Sequence, residues 1–372
     1  KIAIYQPRVT YYVGGGEVVP LEMAKYLSRI GHEITVVSTE YPDGFSDYYK
    51  RFRNVHPSIH YVNLPPSKDL IRIYKEPAGN SQRRWDLEAI HMGKIAQNYF
   101  KENDFDLLNV HYKVDILASK NSVPTVLFLH GVPEKLSYFD KIWFSFDNVH
   151  YLTVSKYIGQ RWAEMLGGIE YKVFTNGIDV KRFYPLDDKA KDIDVLYFGR
   201  LARVKGIKYL IEAVNLLRKN DLKLRVVIAG KGKEEASLRK QVKETKLDAS
   251  VSFVGYVPEE EILGLYNKAK AFVAPSFERE GILTTMLEAS ACAVPTITTD
   301  SCSMPEFLEH GVNGLLVKPK NAESLAKAIE TLLTNEELRK TLANNARKKS
   351  EEWAWEYKVE KLSAYFETIK KV

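Results

Sequence analysis

Cysteine is almost absent from this chain, and so is any long apolar run. Only Cys292 and Cys302 occur among its 372 residues, without metal-ligand spacing, which suits a reducing cytoplasm better than a disulfide framework. The longest apolar stretches, such as VLFL at 126–129, fall far short of the about 20 residues that cross a bilayer, so no membrane-spanning helix is predicted. The opening KIAIYQPRVT lacks the charged, apolar and small-residue sections of a secretory leader; it also lacks an initiator methionine, consistent with trimming. Charge of one sign is scarce as well. The 54 basic and 48 acidic residues leave +6, too mild to argue for a nucleic-acid partner. The excess is local: between 50 and 84, Lys50, Arg51, Arg53, Lys68, Arg72, Lys75, Arg83 and Arg84 meet only Asp69 and Glu76. Such a segment is either a solvated, mobile loop region or a basic, aromatic surface for anionic lipid headgroups or an anionic acceptor. In the second reading Phe52, Tyr61, Ile71 and Tyr74 are its apolar anchors.

What the chain does have is length for roughly two domains and 45% hydrophobic residues to fill their cores. Short Ile/Val/Leu runs alternate with segments of helical period, the pattern of parallel sheets covered by helices. Strands are predicted in IAIYQ, EITVVS, IHYVNL, LLNVH, TVLFLH, YLTVS and KVFTN, then again in DVLYFG, LRVVIAG, VSFVG, AFVAP, PTITT and GLLVKP. Between the two series, residues 176–192 hold an Asn-Gly turn, a proline and a charged run, which marks the domain boundary. After about 321 the chain becomes helical, ending on an aromatic-rich amphipathic segment, WAWEYKVEKLSAYFETIKKV. Ligands of α/β sheets bind outside the carboxyl ends of the strands, so function is expected in the loops that follow strands.

Three such loops carry candidate chemistry. Gly14, Gly15 and Gly16 join the first strand to a helix whose apolar positions are Val18, Leu21, Ala24 and Leu27; the glycines either let backbone amides approach an anion or simply make a tight turn. This is not GxGxxG, and AGKGKE at 229–234 also lacks the third glycine, which disfavours a dinucleotide dehydrogenase. In FGRLARVKG, Arg200 and Lys205 stand five residues apart across a loop and could converge on one anionic group, a guanidinium fork beside a movable ammonium. In FEREGILTTMLEASACAVP, Ile282, Met286 and Ala289 have helical spacing. The helix is therefore expected to begin near Gly281, with Glu280 just before it and Glu288 two turns inside. Carboxylates there accept hydrogen bonds from ligand hydroxyls, unless Glu280 only caps the helix and Glu288 is exposed.

These pieces together resemble the retaining GT-B glycosyltransferases of family GT4, the group 1 glycosyl transferases. The resemblance rests on GGGE near the start, HG at 130, NGID at 176, FGRLARVKG, FVGYVPEEEILGLYNKA at 253, and the glutamates at 280 and 288, in that order. It implies an α/β fold of two Rossmann-like, doubly wound parallel-sheet domains facing across a cleft: 1–176 on the acceptor side, 177–352 binding the nucleotide sugar, and a helix at 353–372 crossing back. It also implies roles. Arg200 and Lys205 hold the donor diphosphate, with Gly15 and Gly16 approaching it; Glu288 binds the ribose; Glu280, with the amides of Gly281, Ile282, Leu283 and Thr284, faces the donor sugar. Tyr256 and Val257 frame the base, and His130 lies beside the transferred sugar.

The implied reaction moves a hexose-type sugar from a UDP-, GDP- or ADP-type donor to a hydroxyl of an acceptor sugar or glycolipid. No further cofactor is expected. The DxD tripeptides at 104 and 192 precede strands, the wrong end of a sheet for the site, so no metal is predicted. The protein is expected in the cytoplasm, peripheral on the inner membrane face if residues 50–84 bind lipid. The chain departs from the family pattern at Leu283, Ala293, Cys302 and Ser303, where glycine is usual. Bulk at those places would alter which sugar fits, or leave a nucleotide-sugar-binding protein without turnover; a nucleotide-sugar epimerase is a third reading on the same fold.

Overall fold

The computed structural model describes residues 1–12, 14–75, 81–119, 123–133, 135–136, 140, 144, 146–186 and 190–370. Glu76 and the Arg83 side chain of the basic segment, and residues 187–189 of the boundary stretch, lie outside the described residues. The chain forms two compact units, one of residues 1–175 with 355–372 and one of residues 176–354.

Among the described residues the first unit has seven strands: β1 (Ile2–Tyr5), β2 (Ile34–Thr39), β3 (His60–Leu64), β4 (Leu107–Val110), β5 (Thr125–Leu129), β6 (Val149–Thr153) and β7 (Tyr171–Val173). They lie in the order β3-β2-β1-β4-β5-β6-β7, every pair parallel. Each residue of β1, β2, β4 and β5 is buried, as expected of strands covered on both faces, and that explains why they read as unbroken apolar runs. The helix Trp355–Lys370 completes this unit's core with Trp355, Val359, Leu362, Phe366 and Ile369. Trp355 stacks on Tyr26 of the helix Gly15–Arg29.

The second unit has six strands among its described residues: β8 (Ile193–Phe198), β9 (Val226–Ala229), β10 (Val251–Gly255), β11 (Ala269–Ala274), β12 (Thr296–Thr299) and β13 (Gly314–Val317). Their order is β10-β9-β8-β11-β12-β13, again parallel throughout. Alternation along the strands divides the core in two. Val195, Tyr197, Val226, Ile228, Ala271 and Val273 pack on one face, and Leu196, Val227, Phe272 and Ala274 on the other, as the two-residue period of a strand requires.

The basic segment differs from the first reading made of it and, at two of the four anchors, from the second. It is not a loop region, because Asp47–Val55 and Lys68–Lys75 are helices. Nor are Phe52 and Tyr74 surface anchors: they are 6% and 7% exposed and belong to the core. Tyr61 and Ile71 are half-buried. Arg53 lies over the rings of Phe45, Tyr49 and Tyr61, so the aromatic residues are arranged around their own unit's cation. Lys50, Arg51, Lys68, Arg72 and Lys75 are exposed.

Candidate functional site

Both sheets reverse their strand order beside the first strand, between β1 and β4 and between β8 and β11. There the loops leaving neighbouring strands diverge to opposite faces and leave a crevice. Gly15 and Gly16 follow β1, Arg200 and Lys205 follow β8, and residues 280–284 follow β11. Tyr256 and Val257 leave the outer strand β10, the tyrosine 65% exposed and the valine 8%.

In the second unit the loops after β8 and β11 interlock. The chain turns through Arg203–Lys205 into Gly206 at φ +71, where a Cβ would stand 2.1 Å from the Pro275 carbonyl oxygen. Only glycine allows this approach. One step along, the Phe277 N–H donates to the Val204 carbonyl at 3.1 Å. The result is that Lys205 Nζ lies 2.9 Å from Glu280 Oε1, with the two side chains 15% and 17% exposed. Ser303 Oγ donates to the Glu280 carbonyl at 2.9 Å, and the Tyr197 hydroxyl donates to the Arg200 carbonyl at 2.9 Å. Burial, and next the Glu280 charge, push the Tyr197 phenol well above its ordinary range, so it stays a donor. The Arg200 side chain is exposed and has no ion-pair partner among the described residues.

The helix after β11 begins at Thr284, three residues later than the sequence pattern predicts. Leu283 is extended at φ −72, ψ 120, and Gly281, Ile282 and Leu283 are buried, so of the three spaced residues Met286 and Ala289 lie on the helix and Ile282 belongs to the buried extended segment before it. Glu280 therefore stands four residues before the helix, and Glu288 lies just over one turn inside it. Glu288 is half-buried, and its Oε2 accepts a 2.7 Å hydrogen bond from the Tyr266 hydroxyl. Tyr266 is fully buried with its ring set edge-on to Phe183, Phe198 and Phe272. Nothing in the spacing of the glutamates pointed to Tyr266.

In the first unit the loop after β1 is pinned by a buried charge cluster. The Arg8 guanidinium, 1% exposed, bonds both oxygens of Asp115 and lies 3.9 Å from Glu88. Glu88 in turn accepts from the hydroxyls of Tyr11 and Tyr74. Burial pushes the Asp115 carboxyl up to about 6 even though the Arg8 charge pulls it down. Downstream, Gly14 caps the helix Gly15–Arg29, and the Gly16 carbonyl accepts from Gln6 Nε2 at 3.2 Å. His130, at the end of β5, is joined to His111 at the end of β4: His111 Nδ1 lies 2.9 Å from His130 Nε2, and His111 Nε2 lies 2.7 Å from Asn109 Oδ1. Sequence reasoning missed this partner, which sat in LLNVH and was read only as strand; the two-residue step from 109 to 111 was the available signal.

The two halves of the chain match two families, residues 13–182 the one described as Glycosyltransferase Family 4 and residues 183–349 the one described as Glycosyl transferases group 1. An uncharacterized glycosyltransferase of Methanocaldococcus jannaschii is 31% identical over 95% of this chain and 93% of its own length. The chain belongs to the family 4, group 1 glycosyltransferases. Solved structures bear out the GT-B fold. Sucrose-phosphate synthase of Thermosynechococcus elongatus matches with a TM-score of 0.80 at 18% identity, covering 99% of this chain and 98% of that one. The Anabaena protein HepE, solved in complex with UDP and glucose, matches with 0.77 at 20%, covering 100% and 99%.

Of the four positions at which the resemblance of this glycosyltransferase to its family leads one to expect glycine, two have the backbone angles that favour it. Ala293 and Cys302 sit at φ 52 and φ 55, the left-handed region in which a Cβ costs about 1–2 kcal/mol. Leu283 and Ser303 have ordinary backbone angles. The Leu283 side chain packs into the hydrophobic cluster of its own unit with Ile282 and Met286. The DxD tripeptides lie at the amino ends of β4 and β8; Asp192 pairs with Arg225 and Asp194 with Lys270.

Proposed function

We propose that this glycosyltransferase moves a hexose-type sugar from a nucleoside-diphosphate sugar to an acceptor hydroxyl, with retention at the anomeric carbon. The observation that carries this reading is the Lys205–Glu280 contact at 2.9 Å, with the exposed Arg200 on the same loop as Lys205, at the carboxyl ends of β8 and β11. A pyrophosphate-linked sugar requires cations and a carboxylate within one ligand length of each other. Arg200 and Lys205 take diphosphate oxygens, Glu280 and the amides of 281–284 take the sugar, and Glu288 takes the ribose while Tyr266 holds its other side. Tyr256 and Val257 frame the base. Gly15 and Gly16 offer backbone amides to the donor, and His130 meets a sugar hydroxyl.

In the reaction the bond from the anomeric carbon to the diphosphate oxygen breaks and its electron pair stays on that oxygen. The acceptor oxygen bonds to the same face of the carbon, and its proton passes to the departing diphosphate oxygen. Charge grows on the leaving diphosphate, where preorganised cations stabilise the transition state most. The donor is of the UDP, GDP or ADP type, with no further cofactor required; the UDP and glucose in HepE favour the uridine form. The acceptor is a sugar or glycolipid, and the exposed cations of helices Asp47–Val55 and Lys68–Lys75 suit a peripheral position on an anionic membrane. Incubation with UDP-glucose, GDP-mannose and ADP-glucose tests the reading. The wild-type chain should slowly release nucleoside diphosphate from one of them, and Arg200→Ala should do so at least about 10²-fold more slowly. Binding of a sugar nucleotide with no release from any would overturn it.

A further inference from the structure

The two histidines at the ends of β4 and β5 form a chain of hydrogen bonds in which every donor is determined. Asn109 Nδ2 lies 3.2 Å from the Val126 carbonyl oxygen, which can only accept, so that end of the amide is the NH2 and the other end is the oxygen. Asn109 Oδ1 faces His111 Nε2 at 2.7 Å, so His111 carries its proton on Nε2; a bare nitrogen there would set two lone pairs against each other. Burial lowers the basicity of His111 well below the ordinary imidazole range, helped by His130, and lowers His130 to about 4. Both rings are therefore neutral near pH 7, and His111 has one proton, already placed. Its Nδ1 must accept, and the group 2.9 Å away is His130 Nε2. The planes are held by packing: His111 lies 6° from the Phe128 ring plane at 5.3 Å, and His130 lies 22° from His111.

We propose that Asn109 and His111 are positioning residues that lock His130 in its Nε2–H tautomer, so that His130 presents Nδ1 as a hydrogen-bond acceptor for a sugar hydroxyl. No described residue takes that nitrogen. The consequence for specificity is direct: a bare imidazole nitrogen accepts from a hydroxyl and repels a carbonyl or phosphate oxygen, so the relay selects a hydroxyl-bearing group at this point. This inference rests on the proposed reaction only for the identity of that hydroxyl; the tautomer itself is a property of the protein alone.

The test uses the whole chain labelled with ring 15N in histidine, with the His130 signals assigned by their loss in His130→Gln. At pH 7 the wild type should show His130 with Nε2 protonated and Nδ1 bare. His111→Asn places an amide oxygen one bond beyond Cγ, where Nδ1 stood, and should keep that tautomer. His111→Phe removes the acceptor and should let His130 populate the Nδ1–H form. With the sugar nucleotide that the wild type turns over, kcat should fall about tenfold in His111→Phe, the worth of one hydrogen bond, with KM little changed, and His111→Asn should recover most of the rate. A wild-type His130 protonated on Nδ1 overturns the proposal, as does a tautomer unmoved in His111→Phe. Should His111→Phe not fold, the wild-type and His111→Asn spectra decide it. A correct tautomer with no release from any sugar nucleotide would instead count against the proposed reaction and leave the relay standing.

Discussion

Ala293 and Cys302 hold backbone angles that a Cβ opposes, and neither side chain is fully buried. Ala293→Gly removes the strain and little packing. The unfolded chain gains freedom from the same change, which offsets part of the benefit. The expected net is a stabilisation of about 0.5–1 kcal/mol, read as a higher urea midpoint at unchanged slope. A lower midpoint would mean that the methyl contributes packing the backbone angles do not reveal. Leu283→Gly belongs to a different class, since it would open the cluster of Ile282 and Met286 without relieving any angle. The two kinds of departure from glycine, which look alike in the sequence, thus have opposite energetic signs.

Among the elements, the loop that leaves β1 depends on one guanidinium. Arg8 faces Asp115 and Glu88, both fully buried, and removing one partner of such a cluster leaves uncompensated charge. Arg8→Met should destabilise the protein by about 3–5 kcal/mol, measured by denaturant unfolding near neutral pH; a loss within experimental scatter would show that the acids are protonated without the arginine. The thirteen strands were legible because buried parallel strands concentrate Ile and Val between turns, IAIY at β1 being one of them. Ends of elements were harder. Gly281 followed by Ile282 and Leu283 has the look of a helix start, yet the chain is extended there because those side chains fill a core. Phe52 and Tyr74, surface anchors in one of the two readings of the basic segment, are core residues, and Tyr49 with Phe52, and Leu70 with Tyr74, have the three- and four-residue steps of a buried helix face. The Lys205–Glu280 contact needed coordinates, because it depends on how closely Gly206 approaches Pro275, a distance that spacing along the chain does not encode. His111 was passed over since a polar residue ending a strand carries no pattern of its own.

At the scale of the whole molecule, a nucleotide sugar that binds only the folded chain must stabilise it by mass action. At 100 times its dissociation constant the gain is about 2.7 kcal/mol, and a panel of sugar nucleotides followed by thermal unfolding should single out the donor through a rise of several degrees. A panel that moves nothing, with free UDP, GDP and ADP equally silent, would count against the proposed donor class. The order of the chain adds a feature of another kind. The second unit is one continuous stretch, whereas the first closes only with Trp355–Lys370, whose Trp355 covers Tyr26. During synthesis, then, the first unit closes only after the second has been made: the ribosome must pass residue 355 before that aromatic face is shielded. Deleting residues 355–372 should therefore expose a sticky patch on the first unit while residues 176–354 still fold.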